Sequence, residues 1–112
     1  MYGLTDRSYN ELVQILASVP EIDEAVIYGS RARGDYWHAS DIDISLKGKG
    51  CNRHTLRTLN DMLYESHIPY FFDTNIYADI HNPELKANID RDGRTIFSRQ
   101  TVDSRTPRSN VT

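Results

Sequence analysis

The chain has a single cysteine, Cys51, in 112 residues, which excludes an internal disulfide framework. A lone thiol suits a reducing compartment, and the cytoplasm is the expected location. Cys51 has no Cys or His partner at zinc-ligand spacing, so it reads as a small loop or helix-start residue. No apolar run approaches the roughly 20 residues that a membrane helix needs. Met1 to Asp6 contains no basic segment leading into an apolar one, so no signal peptide is expected. Basic charge is not in excess either: 13 Lys and Arg against 16 Asp and Glu give a formal net charge of −3. That balance does not favour a phosphate backbone, and direct nucleic-acid binding is not expected. No internal repeat is visible. The length fits one domain with a modest core, burying about 60 to 70% of the unfolded chain's surface.

Hydrophobic periodicity then supplies the elements. Ser8-Tyr9-Asn10-Glu11 has capping-box form, and Tyr9, Leu12, Val13, Leu16 and Val19 follow at helical spacing up to Pro20. Ala25 to Tyr28 is a short apolar run that reads as a buried strand. Gly34 to Ser40 reads as a loop, with Trp37 as a packing plug beneath it and His38 on the surface. Asp41 to Leu46 alternates as a strand, and Lys47-Gly48-Lys49-Gly50 is a solvated turn. Leu56, Leu59 and Leu63, with Met62 alongside, form a core stripe on a helix from Asn52 to about Ser66. Tyr70 to Tyr77 is rich in aromatic and β-branched residues and reads as a further strand. Asn82-Pro83-Glu84 is a helix start, and Thr95 to Phe97 forms a last short strand or docks. The expected domain is residues 1–97. Residues 98–112 have the composition of a tail that is disordered by itself.

The stretch Tyr28-Gly29-Ser30 to Asp41-Ile42-Asp43 organises the rest. Along a strand, Asp41, Asp43 and Ser45 share one face, and Ile42, Ile44 and Leu46 the other. Two like charges side by side repel. No neighbour in the sequence is placed to neutralise both, whereas a divalent cation with a preference for carboxylate oxygen would. Upstream, Gly29 lets the backbone turn sharply and come close to a phosphate, and Ser30 adds a hydroxyl that caps the following helix or bonds a phosphate oxygen. Arg31 and Arg33 carry guanidinium forks that suit phosphate, one of them near the phosphates and the other solvated. Taken singly, each half has a bland alternative: an ordinary strand–helix turn, or an exposed strand face with solvated Asp residues.

Gly29-Ser30, ten residues, then Asp41-x-Asp43 resembles the signature of the nucleotidyltransferase superfamily that includes kanamycin nucleotidyltransferase and DNA polymerase beta. The wording Gly-Ser-Arg-Ala-Arg-Gly-Asp and the short chain resemble the minimal nucleotidyltransferases (MNT), which commonly occur as the antitoxin of a HEPN/MNT toxin–antitoxin pair. The resemblance covers roughly residues 8 to 97. It implies an α/β (α+β) fold, with a small mixed twisted sheet and helices packed mainly on one face. It also implies that a third carboxylate comes from a strand beside the D-x-D strand, the position of Asp73.

On that resemblance Asp41, Asp43 and Asp73 are the catalytic and metal-holding residues for one or two Mg²⁺ ions. Gly29, Ser30, Arg31 and Arg33 are the residues that meet the triphosphate of ATP. The implied activity is transfer of a nucleotide, AMP foremost, to a hydroxyl, with a tyrosine of a HEPN toxin as acceptor. Three alternatives stand beside it: an antitoxin that occludes its partner without catalysis, transfer to a small molecule, and nucleic-acid polymerisation. The last two rank lower, because the chain has neither an extra helical domain nor a template-binding region.

Overall fold

The computed structural model describes residues 1–99. The elements in chain order are α1 (Asp6–Ser18), β1 (Glu24–Tyr28), α2 (Gly29–Arg33), β2 (Ile42–Lys47), α3 (Arg53–Tyr64), β3 (Phe72–Ile76), a 3₁₀ turn (Tyr77–Asp79), α4 (Pro83–Asp92) and β4 (Arg94–Ser98). The strands form one mixed sheet in the order β3-β2-β1-β4. β1 is antiparallel to both its neighbours, and β3 is parallel to β2. A parallel pair needs a crossover, and α3 provides it.

Alternation along the strands divides the sheet into two unlike faces. Ala25, Ile27, Ile42, Ile44 and Leu46 point to one side and pack with Leu12 and Leu16 of α1 and Leu59 and Leu63 of α3. These side chains are almost fully buried, and each contributes about 1.5–3 kcal/mol by leaving water. The other face has a smaller apolar patch, where Ile89 of α4 covers Val26 and Tyr28. The rest of that face, on β2 and β3, is polar. The fold is thus the expected mixed α/β arrangement, with α1 and α3 on the main core face.

Two expectations need correction. The first helix starts at Asp6, not after Ser8: Thr5 is the N-cap, and its hydroxyl accepts from the Ser8 amide at 3.1 Å. Glu11 does not reach back to complete a box at Ser8; it accepts from the His67 amide at 3.2 Å. Trp37 is not a plug but 74% exposed. Its short loop closes on itself, with the Trp37 amide donating to Ser40 Oγ and the Ser40 amide to the Trp37 carbonyl, both at 3.0 Å, so the ring is left at the surface.

At the C-terminal edge the expected last strand forms as β4 and runs through Ser98. Arg99 continues it: its amide donates to the Asp23 carbonyl at 2.7 Å, and its guanidinium donates to the carbonyls of Ile22, Ala17 and Val19. Main-chain pairing with the sheet and its flanking turn therefore continues through Ser98 and Arg99. The remainder of the expected tail, residues 100–112, lies outside the described residues.

Candidate active site

The strand register builds the site. Tyr28 of β1 stands opposite Asp43 of β2, and Asp43 stands opposite Asp73 of β3. Because side chains repeat every second residue, these three form a row across one face of the sheet. A second row lies behind it: Val26, Ser45 and Asn75. Asp41 is in the chain just ahead of β2 and is exposed, as is Asp73, whereas Asp43 is half-buried. The three acids foreseen from the sequence are thus gathered at the N-terminal ends of two adjacent parallel strands.

The glycine turn reaches the same place. Gly29 has φ +74°, a conformation that L side chains rarely adopt, and a Cβ built there would overlap Asp43 Oδ2. The two halves of the motif therefore lie against each other, and a side chain at position 29 would be strained and would force the Asp43 carboxylate to shift. Among the described residues no side chain caps α2, so Ser30 does not cap it and its hydroxyl is not committed to that role. The first N–H groups of α2 have no intrahelical partner, as at any helix start.

Electrostatics at the row are unfavourable by themselves. Burial, then Asp73, then Asp41 push the Asp43 carboxyl up to about 6, and Arg33 opposes them weakly. Burial and Asp43 push the Tyr28 phenol up to about 12. Among the described residues no three acidic, imidazole or thiol side chains already converge tightly on one point. The donor set nevertheless fits a hard divalent cation: it is all carboxylate oxygen, and Asp43 is crowded by negative charge that a cation would relieve. Asp41, Asp43 and Asp73 are the residues that could hold it.

The two arginines have separate fates. Arg31 is 2% exposed, and its guanidinium donates to main-chain carbonyls, so the solvated position expected for one arginine is not its own, nor does it face open solvent as a phosphate ligand. Arg33 is at the surface, bonded to Asp35 at 3.1 Å and 3.7 Å from Asp92, and close enough to Asp43 to favour its ionised form. Of the pair, Arg33 is the one whose guanidinium reaches solvent. His38 is exposed, as expected.

Sequence reasoning missed a buried polar chain under the carboxylates. The Ser45 hydroxyl, fully buried, donates to Asn75 Oδ1 at 2.6 Å, and Asn75 Nδ2 donates to Tyr28 Oη at 2.8 Å. The signal was available: Ser45 and Asn75 each lie two residues beyond an Asp of the row and share its face. A separate apolar pocket of about 370 Å³, lined by Leu63, Tyr64, Ile68, Pro69, Phe71 and Phe72 among others, opens beside the start of β3. Tyr64 and Phe71 at its rim are 89% and 82% exposed.

A glycine turn packed against a half-buried acid, with a D-x-D strand on a small mixed sheet, defines a nucleotidyltransferase domain. The chain matches the family model described as "Polymerase beta, Nucleotidyltransferase" over residues 10–102, and it belongs to that family. No curated protein sequence matches it. Among solved structures, the fold is similar to one in a crystal structure of a toxin–antitoxin with AMP-PNP (TM-score 0.68, 18% identity, 82% of this chain and 74% of that one). It is also similar to one in the complex of a tri-AMPylated Shewanella oneidensis HEPN toxin with an MNT antitoxin (TM-score 0.62, 15% identity, 82% and 71%). A third likeness is to a protein from Sulfolobus solfataricus described as a nucleotidyltransferase (TM-score 0.52, 24% identity, 83% and 82%). At these identities the likeness is one of fold. No helix of the described residues is long and apolar enough to cross a membrane.

Proposed function

We propose that the chain is the antitoxin of a HEPN/MNT pair and transfers AMP from ATP to a hydroxyl, a tyrosine of its HEPN toxin being the acceptor. The observation that carries this is the convergence of Gly29 and Asp73 on Asp43, from the turn on one side and the parallel strand on the other. The fold likeness to toxin–antitoxin structures, one with AMP-PNP and one with an AMPylated toxin, supports the choice of nucleotide and partner.

The residues divide the work. Gly29 and Ser30 would offer main-chain N–H groups and a hydroxyl to the β and γ phosphates, and Arg33 would add a positive charge nearby. Asp41, Asp43 and Asp73 would hold one or two Mg²⁺ ions, which supply charge neutralisation at the triphosphate and a lowered acceptor pKa. Asp73, the exposed acid of the row, would take the proton of the acceptor hydroxyl. The acceptor oxygen then forms its bond to the α-phosphorus as the bond to pyrophosphate breaks. Positioning and charge account for most of the catalysis in such a transfer.

The test is intact mass spectrometry of the partner toxin, purified with and without co-expression of this chain. One or more adenylate masses, lost with Asp43→Asn, are expected. A stable complex whose toxin carries no added mass would overturn the transfer reading and favour occlusion. That second reading has its own support in Tyr64 and Phe71, large aromatic residues left at the surface. It predicts that the Asp43→Asn variant still protects cells from the toxin.

A further inference from the structure

Arg31 is a charged side chain inside the protein, and among the described residues no acid forms an ion pair with it. Its Nε and Nη2 both donate to the Ser40 carbonyl, at 3.0 and 2.8 Å, and Nη2 also approaches the His38 carbonyl at 3.4 Å. Nη1 donates to the Tyr2 carbonyl at 2.9 Å. The guanidinium carbon lies 4.3 Å from the centre of the Tyr70 ring and 5.0 Å from that of Tyr36. Burying such a charge is costly, and an apolar residue of similar volume would fill the space at less cost. What an apolar residue lacks is the planar fork, which here ties three segments distant in sequence.

One of those ties bears on the carboxylates. Ser40 immediately precedes Asp41, so the forked contact fixes the peptide plane from which Asp41 departs. On the other side, the Ile42 amide donates to the Phe71 carbonyl at 2.9 Å. Asp41 lies outside β2 and has no strand register of its own. Its position depends on these two anchors.

The other tie brings in the N-terminal residues. Met1 to Leu4 form a tight turn, closed by the Leu4 amide donating to the Met1 carbonyl at 2.9 Å and seated by the buried Leu4 side chain. Tyr2 and Gly3 have φ of +57° and +79°. A Cβ on Gly3 would come within 2.6 Å of Arg31 Nη1 and 2.5 Å of Tyr36 Cε2. The turn is thus shaped to lie against the guanidinium.

We propose that Arg31 is a positioning residue that couples the seating of residues 1–4 to the placement of Asp41, and so to the affinity of the site for a divalent cation. This rests on Asp41 being a cation ligand. Loss of a group that orients a metal ligand typically costs about 10- to 100-fold in metal affinity. Lys at position 31 keeps the charge but cannot make the forked contact to Ser40.

The experiment uses the full chain and Mn²⁺ alone, titrated by electron paramagnetic resonance, together with amide hydrogen exchange. Arg31→Lys and Gly3→Ala are expected to weaken Mn²⁺ binding about tenfold or more and to speed exchange at the Ile42 amide, with the circular dichroism of the sheet and helices retained. In an Asp41→Asn background, adding Arg31→Lys is expected to weaken Mn²⁺ no further. Folded Arg31→Lys and Gly3→Ala variants with parental exchange at Ile42 would overturn the proposal. So would an equal loss of Mn²⁺ affinity with and without Asp41. Faster exchange in the variants, with no Mn²⁺ bound even by the parent, would leave the coupling standing and overturn the metal-dependent reading of the site instead.

Discussion

Gly29 and Asp43, fourteen positions apart in sequence, are in contact so close that a methyl group on Gly29 would occupy the space of Asp43 Oδ2. The turn and the acid are therefore one unit, and a change at either moves the other. Gly29→Ala meets two obstacles, the positive φ and the carboxylate. The conformation alone costs about 1–2 kcal/mol. Displacing a reacting group by about 1 Å costs on the order of 100-fold in rate. We expect Gly29→Ala to remain folded, with a lowered urea midpoint and at least that loss of AMP transfer. Urea denaturation and incorporation of labelled nucleotide check both.

Asp43 makes stability depend on pH. Its carboxyl is raised to about 6 in the folded chain, so the native state holds this proton more tightly than the unfolded state does. The associated stabilisation is present below pH 4 and is lost as pH rises through 6. The full shift corresponds to about 3 kcal/mol, and solvent screening at a half-buried group reduces this to roughly 1 kcal/mol. Asp43→Asn is expected to abolish this slope and to be more stable than the parent at pH 7 without divalent cation. Mg²⁺ should stabilise the parent at pH 7 and not the variant. Thermal melts from pH 4 to 8, with and without Mg²⁺, check it.

Asn75 is the centre of the buried polar chain. Asn75→Leu leaves the Ser45 hydroxyl without its acceptor and the Tyr28 hydroxyl without its donor. An unsatisfied buried polar group costs about 1–3 kcal/mol. Ser45→Ala added to Asn75→Leu should recover part of that loss, because no orphaned hydroxyl then remains on β2. Urea unfolding of the single and double variants gives the comparison, and a double variant no more stable than Asn75→Leu would contradict it.

Arg33 and Arg31 should behave differently in kinetics. Arg33 pairs at the surface with Asp35 and Asp92, where ion pairs contribute little to folding. Arg33→Gln should leave the melting temperature nearly unchanged and raise KM for ATP about tenfold, the scale of one charge-assisted contact. Steady-state kinetics with varied ATP decides it. A lowered kcat at constant KM would place Arg33 outside nucleotide binding.

Much of this was legible because it is local. The glycine turn, the alternation of Asp41, Ile42, Asp43 and Ile44, and the proline-led start of α4 are short-range patterns that fix backbone geometry. Asp73 was reached through the likeness to a known family, and the register then placed it opposite Asp43. Arg31 was not legible. Its partners are carbonyl groups, which every residue has, and one of them lies 29 positions away at Tyr2. Nor could an aromatic in a short loop announce its exposure: Trp37 is turned outward by a local turn that Ser40 closes.

The parallel pairing of β2 and β3 also bears on when the protein becomes competent. Ser45 and Asn75, which sit one step behind Asp43 and Asp73, are 30 residues apart and meet only after α3 has crossed between the strands. Contacts of such span close late, because the entropy of the intervening loop must be overcome first. A chain emerging from synthesis can form Gly29-Ser30 and Asp41-x-Asp43 early, yet it lacks the third acid until β3 has joined the sheet. Activity would then report a completed fold, and an unfinished chain could not expend nucleotide.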